Sequence, residues 1–507
     1  MNNSNPNAQA FRNLDSLLIS LAGFILILIY TNHSGIGISP DSIVYLSVAK
    51  NINTQGLLLD YDLRPLVDFP VFYPAFLSVI GFFSKSNLIG VAPYLNGALF
   101  AGIIFLSGYL ISKFEDVSLL YKRILLISIA FSPALFDVYG MLWSETLFIF
   151  LSLLFILTFS IYLRTRTISK LIFCALIAGI ACITRYAGIT IIASGLMLLF
   201  FEPSVKWDRK IKPLLIFGGL SIIPLVINLI HNRLVAGLMT GPRESGITSL
   251  KVNIYYYGSV VCDWAGITTV QPLLISSIAL LIFLAITGLF LNRIATGKNY
   301  TGTENCFTAL FIVYTVFIIG ISTLSHFEQI NNRLLSPSFL PFLISSTAWI
   351  PAVLRKLDKK QLYISLCVLF IIAANFGYNR FNRLNNMYTE AKTYGIAGYT
   401  DDSWKNSEIS KYLRTHSADF DKQYSLYSNA HEAAWFNGKT RSESLPHLID
   451  KKDVKSFFGK KGHYLIWFNA IDDDELIGLQ LIRKHADVVV INNFKDGTIY
   501  MVTPHHH

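Results

Sequence analysis

"GISPDSIVYLSVAKNI", residues 37–52, comes just after a long apolar run at 14–30. Ser39 as N-cap, Pro40 at the first helical position and Asp41 in the first turn predict a helix start. Val44, Tyr45, Val48, Ala49 and Ile52 fall on one side of that helix, and Ser47, Lys50, Asn51 and Thr54 on the other. Such a helix can lie flat on a bilayer. As a capping acid, Asp41 would only complement the helix dipole, an effect under about 1 kcal/mol. The rest of the chain decides whether it does more. The apolar run before it has a polar start with little positive charge, and no small-residue cleavage site follows. A retained membrane helix is expected rather than a signal peptide.

Working outward, the chain of 507 residues is 53% hydrophobic and only 15% charged. A soluble protein carries about 25% charge. The apolar residues come in long blocks, near 14–31, 89–112, 124–141, 145–163, 171–184, 186–201, 213–230, 271–291, 307–325, 334–353 and 362–377. They predict an all-α, multi-pass membrane domain of about 11 crossings at roughly 20 residues each. The net charge of +10 is read as the basic bias that orients membrane proteins, not as a nucleic-acid site. The cysteines form neither a disulfide framework nor a metal-type spacing.

With the N-terminus in the cytoplasm, the inner loops are "SKFEDVSLLYKR" (112–123), "RTRTISK" (164–170), "KWDRKIK" (206–212), "NRIATGK" (292–298) and "RKLDKK" (355–360). All are short and basic, as the positive-inside rule requires. The outer elements then hold Asp41, Asp68, Glu145, Arg185, Arg243, His326, Glu328 and Arg333. An ionisable group at the edge of an apolar block costs about 3 kcal/mol on insertion scales. Acids and arginines gathered at one face point to a shared cavity. Each one alone could equally cap a helix end.

Composition changes after Tyr378. "SWKNSEISKYLRTH", "HEAAWFNG", "KKDVKSFFGKKG" and "DDELIGLQLIRKHA" read as helices. "YSLYSN" and "HYLIWFN" read as strands, and "VVVINNF" with "GTIYMVTP" as a terminal hairpin. A compact α/β domain is expected over 379–504, extracytoplasmic if the crossing count is odd, beyond a membrane domain at 1–378. His431 and Glu432 are read as a helix start, in a capping role. His505, His506 and His507 are read as a purification-tag remnant.

The ordered set "PDSIVYLSVAKNINTQGL", "DFPVFYPAFLSVIGFF", "WSETLFIFLSLLF", "ITRYAGITIIASG", "HNRLVAGLMTGPR", "NNRLLSPSFLPFL" and "YSNAHEAAWFNGKTRSESLP" resembles the GT-C superfamily of integral-membrane glycosyltransferases. The similar branches are the protein O-mannosyltransferases and the lipid A aminoarabinose transferases. The resemblance implies interfacial helices in the first outer loop, a sugar donor carried on a polyprenyl phosphate, and an acceptor reached from outside. It implies that Asp41 is the catalytic base, that Glu145 matches the acid opening the fourth membrane helix, and that Arg185 and Arg333 match basic residues of the family. Relatives often carry an Asp-Glu pair where this chain has Asp41-Ser42. The Lys-Pro-Pro segment of the aminoarabinose branch reads "DFPVFYP" here, without the lysine.

The residue chemistry agrees with that likeness. Arginines offer phosphate a planar fork of donors, and a carboxylate near the anomeric carbon can take a proton. One base with a good leaving group suits inversion, while two carboxylates suit a two-step retaining route. Asp41 is the expected base, with Glu145 or Asp68 as second acid and Arg185 and Arg333 on the donor phosphate. Tyr45, Tyr73, Tyr186, Arg243, His326 and Glu328 are expected to line the substrate path. No cofactor is indicated, and a divalent metal is left open. The expected partners are a polyprenyl-phosphate-linked sugar, a glycan, lipid or protein acceptor and membrane lipid, in a bacterial inner membrane. The rival readings are a transporter or lipid flippase using the same charges, and a membrane scaffold whose tail binds a partner.

Overall fold

The computed structural model describes residues 6–114, 118–243, 245–267, 271–326 and 328–505. Residues 115–117 of an expected basic loop, residues 244, 268–270 and 327 of expected outer loops, and His506 and His507 lie outside the described residues.

Among the described residues eight helices are long and apolar enough to cross a membrane, and a bent pair, Leu119–Ala130 with Pro133–Tyr139, makes a ninth candidate. Ile168–Thr184 and Ile189–Phe200 are shorter apolar helices, of 17 and 12 residues. The eleven expected blocks fall on these elements, so the protein is an integral multi-pass membrane protein. Some blocks differ from a straight span for local reasons. Pro133 begins the second half of the bent pair, where Ser132 interrupts the helix. Arg185, in an extended conformation, breaks the helix after Thr184, and a single 3-10 turn, Tyr186–Gly188, precedes the next helix. Gly188 packs so tightly on the preceding helix end that a Cβ there would meet the Cys182 amide nitrogen at 2.5 Å.

The helix of the opening stretch forms at Pro40–Gln55, with a reciprocal Ser39–Ser42 capping box and Gly56 in the left-handed conformation at its end. It does not lie flat with one face free. Ser42, Ile43, Tyr45, Leu46, Ser47, Val48 and Ala49 are all buried, so Ser47 of the expected polar face is inside the protein, while Lys50 and Thr54 stay exposed. The cause is its entry strand. Gly37 donates its amide to Gly140 O at 2.8 Å and accepts from the Leu142 amide at 3.0 Å. On the other side, the Tyr399 amide donates to Ile38 O at 2.8 Å and Thr400 Oγ1 to Ile36 O at 2.8 Å. A Cβ at Gly37 would collide with Met141 and Ile396.

The last long helix, Lys359–Tyr394, runs through the expected boundary at 378/379. Beyond it lies a five-stranded sheet in the order β2-β1-β3-β5-β4. Its strands are β1 (Ser425–Ser428), β2 (Glu443–Ser444), β3 (His463–Phe468), β4 (Ala486–Phe494) and β5 (Gly497–Pro504). β1 pairs in parallel with β2 and β3, while β5 is antiparallel to β3 and β4. Alternation assigns the two faces. Ile466, Phe468 and Ile499 join the core that continues into the membrane domain, whereas Leu465, Tyr500 and Val502 pack a separate small core with Ile477 and Ile482. Two sequence readings are corrected. The helix expected from "SWKNSEISKYLRTH" is broken at Ser407, which caps the second half. The one expected over 473–486 reduces to Leu479–His485, because the Ile477 amide is held by Pro446 O.

Candidate active site

The two segments that pair at Gly37 and Met141 each lead directly into a helix, and each helix opens with an acid. Asp41 and Glu145 are therefore brought to one place by backbone pairing, not by sequence proximity. A third helix, Asn332–Thr347, starts beside them, with Asn331 capping the Leu334 amide. This sets Arg333 at the meeting point.

Arg333 donates from Nε to Glu145 Oε1 at 2.7 Å and pairs through Nη2 with Asp41 Oδ2. Its guanidinium lies over the Trp143 ring, 4.3 Å from the centroid. Arg185 Nη1 reaches Glu145 Oε2 at 2.7 Å and donates to Ser144 Oγ at 2.9 Å. Glu145 is fully buried. A carboxylate in that position is tolerated because two guanidiniums flank it; removing a partner from a buried pair costs about 3–5 kcal/mol. Tyr45 Oη lies 3.3 Å from Ser144 Oγ, so the hydroxyls continue the network. Arg185 Nε is buried with no hydrogen-bond partner among the described residues.

This cluster borders a cavity of about 680 Å³. Asp41, Tyr45, Asp68, Arg185, Tyr186, Arg243, Glu328 and Arg333 line it, as the sequence predicts. Apolar side chains line it as well, Leu225 and Leu229 from helix Trp207–Ala236 and Phe317, Ile318 and Ile321 from helix Thr303–Leu324. Asp68 and Glu328 are exposed to the cavity, and the protein atoms around them desolvate both carboxyls and raise them above the usual range, with Arg243 and Arg333 opposing. Tyr186 Oη donates to Val67 O at 3.1 Å, which ties the loop carrying Asp68 to the Arg185 corner.

Two expected lining residues are elsewhere. Tyr73 is fully buried behind Tyr45, with ring centroids 5.0 Å apart in an edge arrangement. His326 does not line the cavity; its Nε2 meets Glu475 Oε1 of the sheet domain at 3.2 Å. Ser144 and Tyr314 line it and escape sequence reasoning. Ser144 had one signal, its place beside Glu145 at a helix start. Tyr314, inside an apolar block, had none. His431 and Glu432 do not cap: no side-chain cap bond is made at the start of helix His431–Phe436. They pair with each other, Nδ1 to Oε2 at 3.1 Å, and the His431 and Trp435 rings lie 6.1 and 5.1 Å from that of Tyr61. Burial lifts Glu432 to about 7, with the Asp41 charge adding to it, and drops His431 to about 4. Among the described residues no three His, Cys, Asp or Glu side chains come together as metal ligands.

No family model matches the sequence, and no curated protein matches it. Solved structures do match. ArnT from Cupriavidus metallidurans bound to undecaprenyl phosphate aligns over 96% of this chain and 97% of its own, with a TM-score of 0.56 at 9% identity. The archaeal oligosaccharyltransferase AglB from Archaeoglobus fulgidus, in complex with an inhibitory peptide and a dolichol-phosphate, aligns over 90% of this chain and 70% of its own, with a TM-score of 0.56 at 10% identity. The fold of this chain is thus the one shared by these two structures, over nine-tenths or more of its length.

Proposed function

We propose that the protein is a membrane glycosyltransferase that moves a sugar from a polyprenyl phosphate to an acceptor on the extracytoplasmic face, with inversion. The observation that carries this reading is the cavity itself: the Asp-Arg-Glu-Arg cluster borders a space that apolar side chains also line. A lipid-linked sugar phosphate has the same two-part character. Two similar folds, by their own descriptions, were solved with undecaprenyl phosphate and with a dolichol-phosphate. A transporter would place its ionisable groups near the bilayer midplane with access from both sides; these groups gather at the end that carries the sheet domain.

In this reading Arg333 has two states. In the free protein it holds Asp41 and Glu145 together. A donor phosphate competes for its guanidinium, which frees the Asp41 carboxylate. Asp41 then takes the proton of the acceptor O–H as the acceptor oxygen bonds to the anomeric carbon. The bond from that carbon to the phosphate oxygen breaks, and polyprenyl phosphate leaves with the electron pair. Arg185 and Arg333 stabilise the charge that builds on it. Glu145, each of whose oxygens accepts from one arginine, keeps both guanidiniums in place.

The test is product analysis. Disrupting the gene should remove one sugar from an envelope component, detected by mass spectrometry, and the wild-type chain should restore it. With donor and acceptor so identified, Asp41→Asn should lower turnover of the purified protein by at least about a hundredfold, with thermal stability near wild type. Full turnover in that variant would move the base to Glu145 or Asp68. Loss of no sugar on disruption would end the glycosyltransferase reading.

A further inference from the structure

A second cavity, of about 220 Å³, lies at the same end of the bundle, lined by Pro133, Ala134, Trp264, Asn379, Arg380 and Arg383 among others. It is separate from the first. Trp264 Nε1 donates to Asn332 Oδ1 at 2.9 Å, and Asn332 Nδ2 donates to Asp137 Oδ2 at 2.9 Å and Ala134 O at 3.0 Å. These residues form the partition behind Arg333.

Arg380 is only 9% exposed. Its Nη2 donates to Trp264 O at 2.9 Å and its Nη1 to Ser128 O at 3.4 Å. Phe376 and Phe339 lie 4.2 and 5.4 Å from its guanidinium carbon. Its Nε has no partner, and no carboxylate lies at ion-pair distance from it among the described residues. Carbonyl dipoles and ring faces do not cancel a full charge, and a guanidinium buried without an anion is costly. The neighbouring Arg383 is already paired with Asp263. Among the residues that line the cavity itself, two arginines and one aspartate leave one positive charge in excess.

What surrounds the cavity indicates where the missing anion comes from. The apolar window of helix Lys359–Tyr394 has 0% of its residues buried in the protein. Phe370 and Ile371 are 73% and 66% exposed, as a lipid-facing surface requires. Arg380 follows at the end of that stretch, between the exposed rings of Tyr378 and Phe381. Aromatic side chains at that position mark the headgroup level of a bilayer. We propose that this cavity binds the phosphate of an anionic membrane lipid, with Arg380 and Arg383 on the headgroup and the acyl chains along the exposed face of the last long helix. Arginine clefts between membrane helices suit such headgroups. The site is independent of the sugar-transfer reading.

The experiment uses the full chain in a phosphate-free maltoside detergent, titrated with phosphatidylglycerol, phosphatidylcholine or inorganic phosphate, and read by native mass spectrometry and thermal unfolding. Phosphatidylglycerol should be retained one to one, about tenfold or more tightly than phosphatidylcholine. Arg380→Gln and Arg383→Gln should each lower that retention about tenfold. If Arg380→Gln does not fold, the half-exposed Arg383 carries the test. Equal retention of the two lipids, or equal retention by wild type and variants, overturns the proposal. Inorganic phosphate that raises the unfolding temperature and displaces the lipid would assign the charge to a soluble anion and overturn the lipid assignment.

Discussion

The two ends of the helix bundle are built from the same residue types and do opposite things. At the end away from the sheet domain, Arg166 pairs with Glu202, Lys122 reaches Asp15 at 2.7 Å, and Arg293 donates to Asn305 at 2.7 Å. The gap beside Arg293 and Glu304 is about 30 Å³, room for about one water molecule. At the other end, Asp41, Arg333, Glu145 and Arg185 form a chain that faces about 680 Å³ of open space. Charge pairs at one end lock helices; at the other they line a chamber. The difference is one of backbone. The closed end is made by short loops between consecutive helices. The open end is made by the 31–71 segment, the Arg185 corner and the start of helix Asn332–Thr347, which cannot pack flush.

That contrast can be broken most completely by topology. With the native cysteines replaced, Lys422→Cys in the sheet domain should react fully with a membrane-impermeant reagent on intact cells, and Ser169→Cys in "RTRTISK" should not react. Both side chains are exposed. The reverse pattern would place the chamber inside and remove the proposed acceptor side. Next in size is donor affinity. Replacing Arg185 or Arg333 by alanine should weaken binding of a polyprenyl-phosphate sugar about tenfold to a hundredfold, with only partial rescue by lysine, which lacks the planar fork. Arg166→Ala, at the closed end, should leave donor affinity unchanged. Equal losses at both ends would mean that these arginines all serve only the fold.

The smallest effect concerns how the sheet domain sits on the open end. Glu432, raised from 4.5 to about 7, contributes stability that is complete below pH 4.5 and lost as pH rises through 7. His431, lowered from 6.5 to about 4, contributes stability present above pH 6.5 and lost as pH falls through 4. The slopes oppose each other and offset in the wild type. Glu432→Gln should leave a protein that loses stability on acidification from 6.5 to 4. His431→Asn should leave one that loses it as pH rises from 4.5 to 7, each by up to about 3 kcal/mol. Parallel stability curves for the three proteins would rule the pair out as a determinant of docking.

Local pattern was enough to find most of these elements. Long apolar blocks can be satisfied in lipid only as helices, so the bundle was legible from composition and spacing. The Ser39-Pro40-Asp41-Ser42 start follows from capping chemistry, and the structure forms it. The sheet strands follow from alternation, while β2, only two residues long, has no such signal. Asp41, Glu145, Arg185 and Arg333 stood out because each is an ionisable group at the edge of an apolar block. Arg380 is equally close to such an edge, but it sits in a polar run with Arg383, where a lone charge carries no signal.

By itself, then, the sequence determined that the chain is a membrane bundle with a mixed α/β appendage, and which charged residues stand at helix ends. Tertiary structure alone decided their company. Arg333 meets Asp41 across 292 residues and Glu145 across 188. It likewise buried Tyr73 behind Tyr45, turned His326 toward the sheet domain, buried Ser47 on the polar side of helix Pro40–Gln55 and opened a second charged cavity at Arg380. The physical reason is range. Periodicity and capping depend on residues within about two helical turns, whereas the direction in which a side chain points is fixed by which helices and strands pack against its own.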